Sequence, residues 1–297
     1  MPTWDEILKE VGSASNILDV TRRKYIKELS DYTNRNTIIY YSAFLQKQSL
    51  VSRGVDFSIN DNDKNGFMTV VNKLDKNKGL DLLLHTPGGN VSATESIVHY
   101  LKKVFGNDIR AIVPQIAMSA GTMIACSCKS VVMGKQSNLG PIDPQFRGIP
   151  AHGIVEEFER IMDEVKKDNQ KIIVWREILR SYSPTLIGEC EKAIEWSETM
   201  VSNWLKENMF HNDKDKEAKA DKIIKHLGSH KETLSHSKHL HIDDLESFGL
   251  KIEKMEDDQK LQDKILSVHH ATIISITQTN ATKIIENNLG KAFIQFA

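Results

Sequence analysis

The chain has 297 residues, 40% apolar and 27% charged, enough for one large domain or two ordinary ones with a sizeable core, which excludes wholesale disorder. Lys plus Arg number 39 against 40 Asp plus Glu, a formal charge of −1, so no general positive field exists to gather nucleic acid or an anionic membrane. Three cysteines form an odd set without framework spacing, the start Met-Pro-Thr-Trp-Asp-Glu lacks a basic stretch leading into an apolar one, and no apolar run approaches the ~20 residues of a membrane span. A cytoplasmic protein without a membrane partner is expected.

In chain order, residues 1–35 carry Ile7, Val11, Ile17, Leu18, Tyr25, Ile26 and Leu29 at mixed three and four spacing among charges, which predicts an amphipathic helical arm. Residues 37–45 (TIIYYSAFL) read as a strand, 58–66 (SINDNDKNG) as a polar turn and 67–74 as a helix. Residues 79–86 (GLDLLLHT) predict a second strand, closed by Pro87-Gly88-Gly89-Asn90 and followed by helical periodicity from Val91 through Ile97, Val98, Leu101 and Val104. Residues 109–113 (IRAIV) predict a third strand and the small residues of 117–125 a tightly packed helix. Residues 130–133 (SVVM) then lead as a strand into the rigid loop 140–145 (GPIDPQ). This alternation over 37–133 argues a parallel sheet with right-handed crossovers.

Residues 153–210 read as two long helices broken near Ser183-Pro184, and 213–225 as a solvated helix or flexible link. Residues 243–250 predict a short helix closed by Gly249, 257–275 a last helix, and 291–296 (KAFIQF) a terminal strand. With no repeat and no strong boundary, the expected organisation is a helical arm (1–35), an α/β core (36–150) and a helical extension completing the same domain (151–297).

Two glycine-containing turns lie 30 residues apart, each at the carboxyl end of a predicted strand, the edge where parallel sheets gather functional loops. Gly88 and Gly89 permit positive φ, so a backbone N–H there is free to point into a cleft. Ser119 stands at the start of a helix after an apolar strand, a position that suits a nucleophile for acyl transfer and equally suits a plain N-cap.

His85-Thr86-Pro87-Gly88-Gly89 resembles the strand-end Pro-Gly-Gly of the ClpP and SppA proteases, and Ala117-Met118-Ser119-Ala120-Gly121-Thr122-Met123 resembles their nucleophile segment. The closest resemblance is to the serine dehydrogenase proteinase family, over most of the chain, including residues 140–145, 189–196 and Gly228-Ser229-His230. It implies a ClpP/crotonase-like spiral core with a mainly parallel sheet and helical elaborations at both ends. It further implies a serine peptidase acting through a Ser119 acyl-enzyme, with Gly89 and Ala120 N–H groups as the oxyanion hole and Gly88 shaping the turn. An extended peptide or unfolded protein segment is the implied substrate, a homo-oligomer the implied assembly, and no metal or other cofactor is called for.

The base is the open point. Alignment with ClpP places Asp143 where that protease carries its catalytic histidine, and alignment with SppA places Arg180 near its lysine, a side chain that stays protonated. Asp143 paired with His152, in the loop 143–153, is preferred, matching the Ser, Asp, His order proposed for the family; Lys171 is the alternative base. Loss of the base would leave a binding or scaffold protein, and a crotonase-like acyl-CoA enzyme is the remaining reading.

His230, His236, His239 and His241 cluster in sequence, but their spacing matches no helical pair or finger motif, so they read as surface or core histidines. Cys126 and Cys128 read as buried thiols, and Trp175, Trp196 and Trp204 as packing or oligomer contacts. No phosphate loop or dinucleotide fingerprint supports ATP or NAD.

Overall fold

The continuous apolar runs become the middle of a seven-stranded sheet. In a computed structural model, which describes residues 17–146, 148–180, 182–228 and 235–297, β1 (Asn36–Ser42), β2 (Leu80–His85), β3 (Ile109–Val113) and β5 (Ser130–Met133) lie side by side and parallel. Positions 1–16 of the expected arm, with Ile7 and Val11, and also His230, lie outside the described residues; its remainder is the helix α1 (Ile17–Thr33). The full strand order is β11-β10-β1-β2-β3-β5-β9, with β9 (Ile252–Lys254) parallel on one edge and β10 (Ala281–Asn287) and β11 (Ala292–Phe296) antiparallel on the other. The sheet therefore extends beyond residues 36–150, because the C-terminal third returns three strands to it.

Side chains alternate between two buried layers, the period-2 pattern of strands covered on both faces. Ile38, Tyr40, Leu82, Leu84, Ala111 and Val131 face one core, which includes α2 (Asp61–Val71), α3 (Val91–Phe105) and α4 (Ala120–Cys126). Ile39, Tyr41, Leu83, Ile112 and Val132 face the other, which α1 and α10 (Gln259–Gln278) cover. A short parallel ladder, β4 (Ile116–Ala117) with β6 (Asn138–Leu139), stands beside the main sheet, and β7 (Gln145–Phe146) pairs antiparallel with β8 (Ile149–Pro150).

Three segments differ from the sequence reading. The polar stretch 58–66 is not all turn, since Asn60 caps α2 with Asp63 completing a capping box, and the helix starts at Asp61. The two long helices become three, α5 (Ala151–Lys167), α6 (Ile172–Leu179) and α7 (Leu186–Trp204), because a second break falls at Asp168, whose side chain caps a 3-10 turn. The charged stretch 213–225 is α8 (Lys216–Gly228), packed through Ala220, Ile223 and Leu227. The short helix closed by Gly249 is α9 (Ile242–Phe248). None of the described helices is long and apolar enough to cross a membrane.

Candidate active site

Thr86 leaves β2 and is stitched to the nucleophile segment: its N–H donates to Ile116 O (3.2 Å) and its carbonyl accepts from Met118 N (3.0 Å). This clamps the two sequence motifs together. Gly88, at φ 95°, packs so closely that a Cβ would sit 2.7 Å from both Met118 O and Ser119 Cβ, so only glycine fits. A Cβ on Gly89 would strike the backbone of Ile59, whose N–H donates to Gly88 O (2.7 Å) and whose carbonyl accepts from Asn90 N (2.8 Å). The Gly88 N–H is taken up by Thr86 Oγ1 (3.1 Å), whereas among the described residues the N–H groups of Gly89 and Ala120 meet no acceptor.

Ser119 sits at φ 50°, ψ −114°, a region costing a non-glycine residue roughly 1–3 kcal/mol, and its hydroxyl makes no capping bond to α4. A plain N-cap is thereby removed as the reason for the serine. The strained turn instead sets Ser119 into the wall of a cavity of about 490 Å³ bounded by Pro87, Gly88, Gly89, Val91, Met123, Gln145, Trp196 and His236. The segment is held from behind: Gly121 packs on Thr86 and Ala117, and Thr122 Oγ1 donates to Ala117 O and accepts from Gly140 N (both 3.0 Å).

That last bond leads into the loop carrying Asp143. The carbonyl of Ile142 accepts from Ser197 Oγ of α7 (3.2 Å), its N–H donates to Leu227 O of α8 (2.9 Å), and Asp143 is fully buried. Asp143 Oδ1 lies 2.8 Å from His236 Nδ1, while Oδ2 has no hydrogen-bond partner among the described residues. His236 is held in turn by the antiparallel bridge of Leu240 with Leu139 (2.9 and 3.1 Å). It reaches the same cavity as Ser119.

The expected pairing of Asp143 with His152 is not what the structure brings together. His152 lies in the first turn of α5, where its Nε2 faces Glu198 of α7 at 3.8 Å, and it is not among the residues lining the cavity. Lys171 is half exposed and turned to Glu164 (3.3 Å), Arg180 is exposed beside Glu177 (3.1 Å), and neither is among the residues lining the cavity. The residue that sequence reasoning passed over is His236. Its signals were the Ser, Asp, His chain order and its place in the histidine-rich stretch, but 93 residues separate it from Asp143, a gap closed by the docking of α8 and Leu240. Among the described residues no group of three or more His, Cys, Asp or Glu side chains is arranged to hold a metal ion.

The profile of ClpP-like SDH-type serine proteinases matches residues 13–262, so the chain belongs to that family. Two uncharacterized proteins of Methanocaldococcus jannaschii are similar to it. One is 31% identical over 236 residues, 80% of this chain and 74% of that protein; the other is 31% identical over 173 residues, 58% of this chain and 51% of that protein.

Proposed function

We propose that this member of the ClpP-like SDH-type serine proteinase family is a peptidase whose nucleophile, base and orienting carboxylate are Ser119, His236 and Asp143. The observation that carries the reading is the 2.8 Å bond between buried Asp143 and the partly exposed His236, at the wall of the cavity that Ser119 also lines. A carboxylate on Nδ1 fixes the imidazole tautomer with Nε2 bare, ready to accept the Ser119 proton, and then stabilises the imidazolium. Ser119 Oγ adds to the scissile carbonyl carbon, and the oxygen that becomes negative takes the N–H groups of Gly89 and Ala120. His236 returns the proton to the leaving amine as the C–N bond breaks, and water, deprotonated by the same imidazole, frees the acyl group. Ser119 Oγ has no hydrogen-bond partner among the described residues; such contacts commonly tighten only when substrate is bound.

An extended peptide or unfolded segment is the proposed substrate, lying along the cavity between the Gly88-Gly89 turn and Trp196 of α7. The spiral form of the ClpP/crotonase core is part of the same proposal, supported by the β4–β6 ladder standing beside the main sheet. Assembly into a homo-oligomer and a cytoplasmic setting are proposed with it. The scaffold reading rests on a missing base, and His236 is the base proposed here. The test is a fluorophosphonate probe followed by peptide mapping: a single adduct on Ser119, lost in Ser119→Ala, is expected. No adduct on Ser119 after prolonged exposure refutes the peptidase.

A further inference from the structure

A buried ion pair stands behind the glycine turn. Lys283, from β10, and Asp63, from the first turn of α2, are 1% and 0% exposed, and the ammonium donates to both carboxylate oxygens at 2.9 and 3.0 Å. The pair is shared out further. Lys283 Nζ also donates to the carbonyl of Ser58 (2.8 Å), and Asp63 Oδ2 accepts from Asn60 N (3.0 Å) and Tyr40 Oη (2.8 Å). Both members thus grip the backbone on either side of Ile59.

Ile59 is the residue that holds the glycine turn, accepting from Asn90 N and donating to Gly88 O. Asp56 adds a second grip on the same loop, accepting from Ser58 N (2.8 Å) and from Asn60 Nδ2 (2.9 Å). A buried ion pair is a weak device for stability, since apolar replacement of both partners is often neutral or better. Its distinctive product here is a fixed position for one stretch of backbone.

The geometry points to Lys283 and Asp63 as positioning residues for the oxyanion hole: they fix residues 58–60, and through Ile59 they fix the direction of the Gly89 N–H. This rests on the peptidase reading and adds to it a part contributed by the C-terminal strand. A donor of this kind must be aimed at where charge develops, and losing one such donor costs about 10²- to 10³-fold in rate. Losing its support, with the donor still present, is expected to cost about 10- to 100-fold.

The test is the double variant Asp63→Asn/Lys283→Met, which removes both charges and so leaves no unpaired ion in the core. Lys283→Arg is the second variant; it keeps a cation beside Asp63 while its larger head displaces the Ser58 carbonyl. Each is compared with the parent in acylation of Ser119 by the fluorophosphonate, in KM against kcat on a peptide ester, and in hydrogen exchange at Ile59 and Asn90. Expected are a cooperative melt, acylation and kcat lowered about 10- to 100-fold with KM within about threefold, and faster exchange at both amides. Parent-like acylation and exchange in either folded variant overturn the proposal. If the parent itself never labels on Ser119, the peptidase reading falls, and exchange alone then reads the brace: parent-like exchange overturns it, faster exchange supports it.

Discussion

Replacing His85 with Phe should abolish part of the protein's sensitivity to acid. His85 ends β2, fully buried, with neither ring nitrogen hydrogen-bonded among the described residues, and its ring packs against Tyr41 (5.3 Å), Phe44 (5.1 Å) and His269 (5.6 Å). Burial disfavours the imidazolium and lowers the His85 pKa from 6.5 to about 3. His269 is lowered too, by burial first and then by the neighbouring His85 and His270. Because the native pKa lies below the unfolded one, the unfolded chain binds the extra proton. Stability is therefore full above pH 6.5 and declines as the pH falls from there toward 3.

Integrating the linkage relation for His85 alone between pH 7 and pH 5 gives a loss of about 2 kcal/mol, a large share of a typical 5–15 kcal/mol. Phenylalanine has no proton to take up and fills the same aromatic pocket. The difference in unfolding free energy between variant and parent should move by about 2 kcal/mol in favour of the variant over that interval, measured by urea titration at several pH values. Carboxylate titrations are common to both proteins and cancel. Curves that stay parallel from pH 7 to pH 5 would refute the assignment of a neutral, buried His85.

Gly89→Ala should leave little acylation, a fall of more than about 100-fold, because the Cβ strikes the Ile59 backbone and turns the N–H away; the fluorophosphonate rate checks it. Asp143→Asn should lower the same rate by roughly 10⁴-fold, as the tautomer is lost with the shape retained. Arg22→Met should destabilise by about 3 kcal/mol in a urea titration, since among the described residues buried Glu286 would keep only the half-exposed Arg23 (2.6 Å) as an ion-pair partner.

What could be read from the sequence follows from which interactions are local. The strands β2, β3 and β5 announce themselves because they are apolar on both faces, and α9 because Gly249 ends it in a left-handed conformation at φ 106°. The two turns around Gly88 and Ser119 were legible for the same reason. By contrast β10 was missed. Its Lys283, Glu286 and Asn287 look like solvent-facing polar residues, yet all three are buried, held by Asp63, by Arg22 and Arg23, and by Val70 O respectively. Polar residues satisfied by distant partners defeat a hydropathy pattern. His236 escaped by the same route. Nearness in sequence favoured His152, whereas the pairing depends on α8 and the Leu139–Leu240 bridge.

The most direct test of the account is the rate at which Ser119 is acylated by a peptide ester in His236→Ala compared with His152→Ala and Lys171→Ala. A general base contributes about 10²- to 10⁴-fold, so His236→Ala should lose that much while the other two remain within a few-fold of the parent. An unchanged rate in His236→Ala, or a comparable loss in His152→Ala or Lys171→Ala with the fold intact, would contradict it.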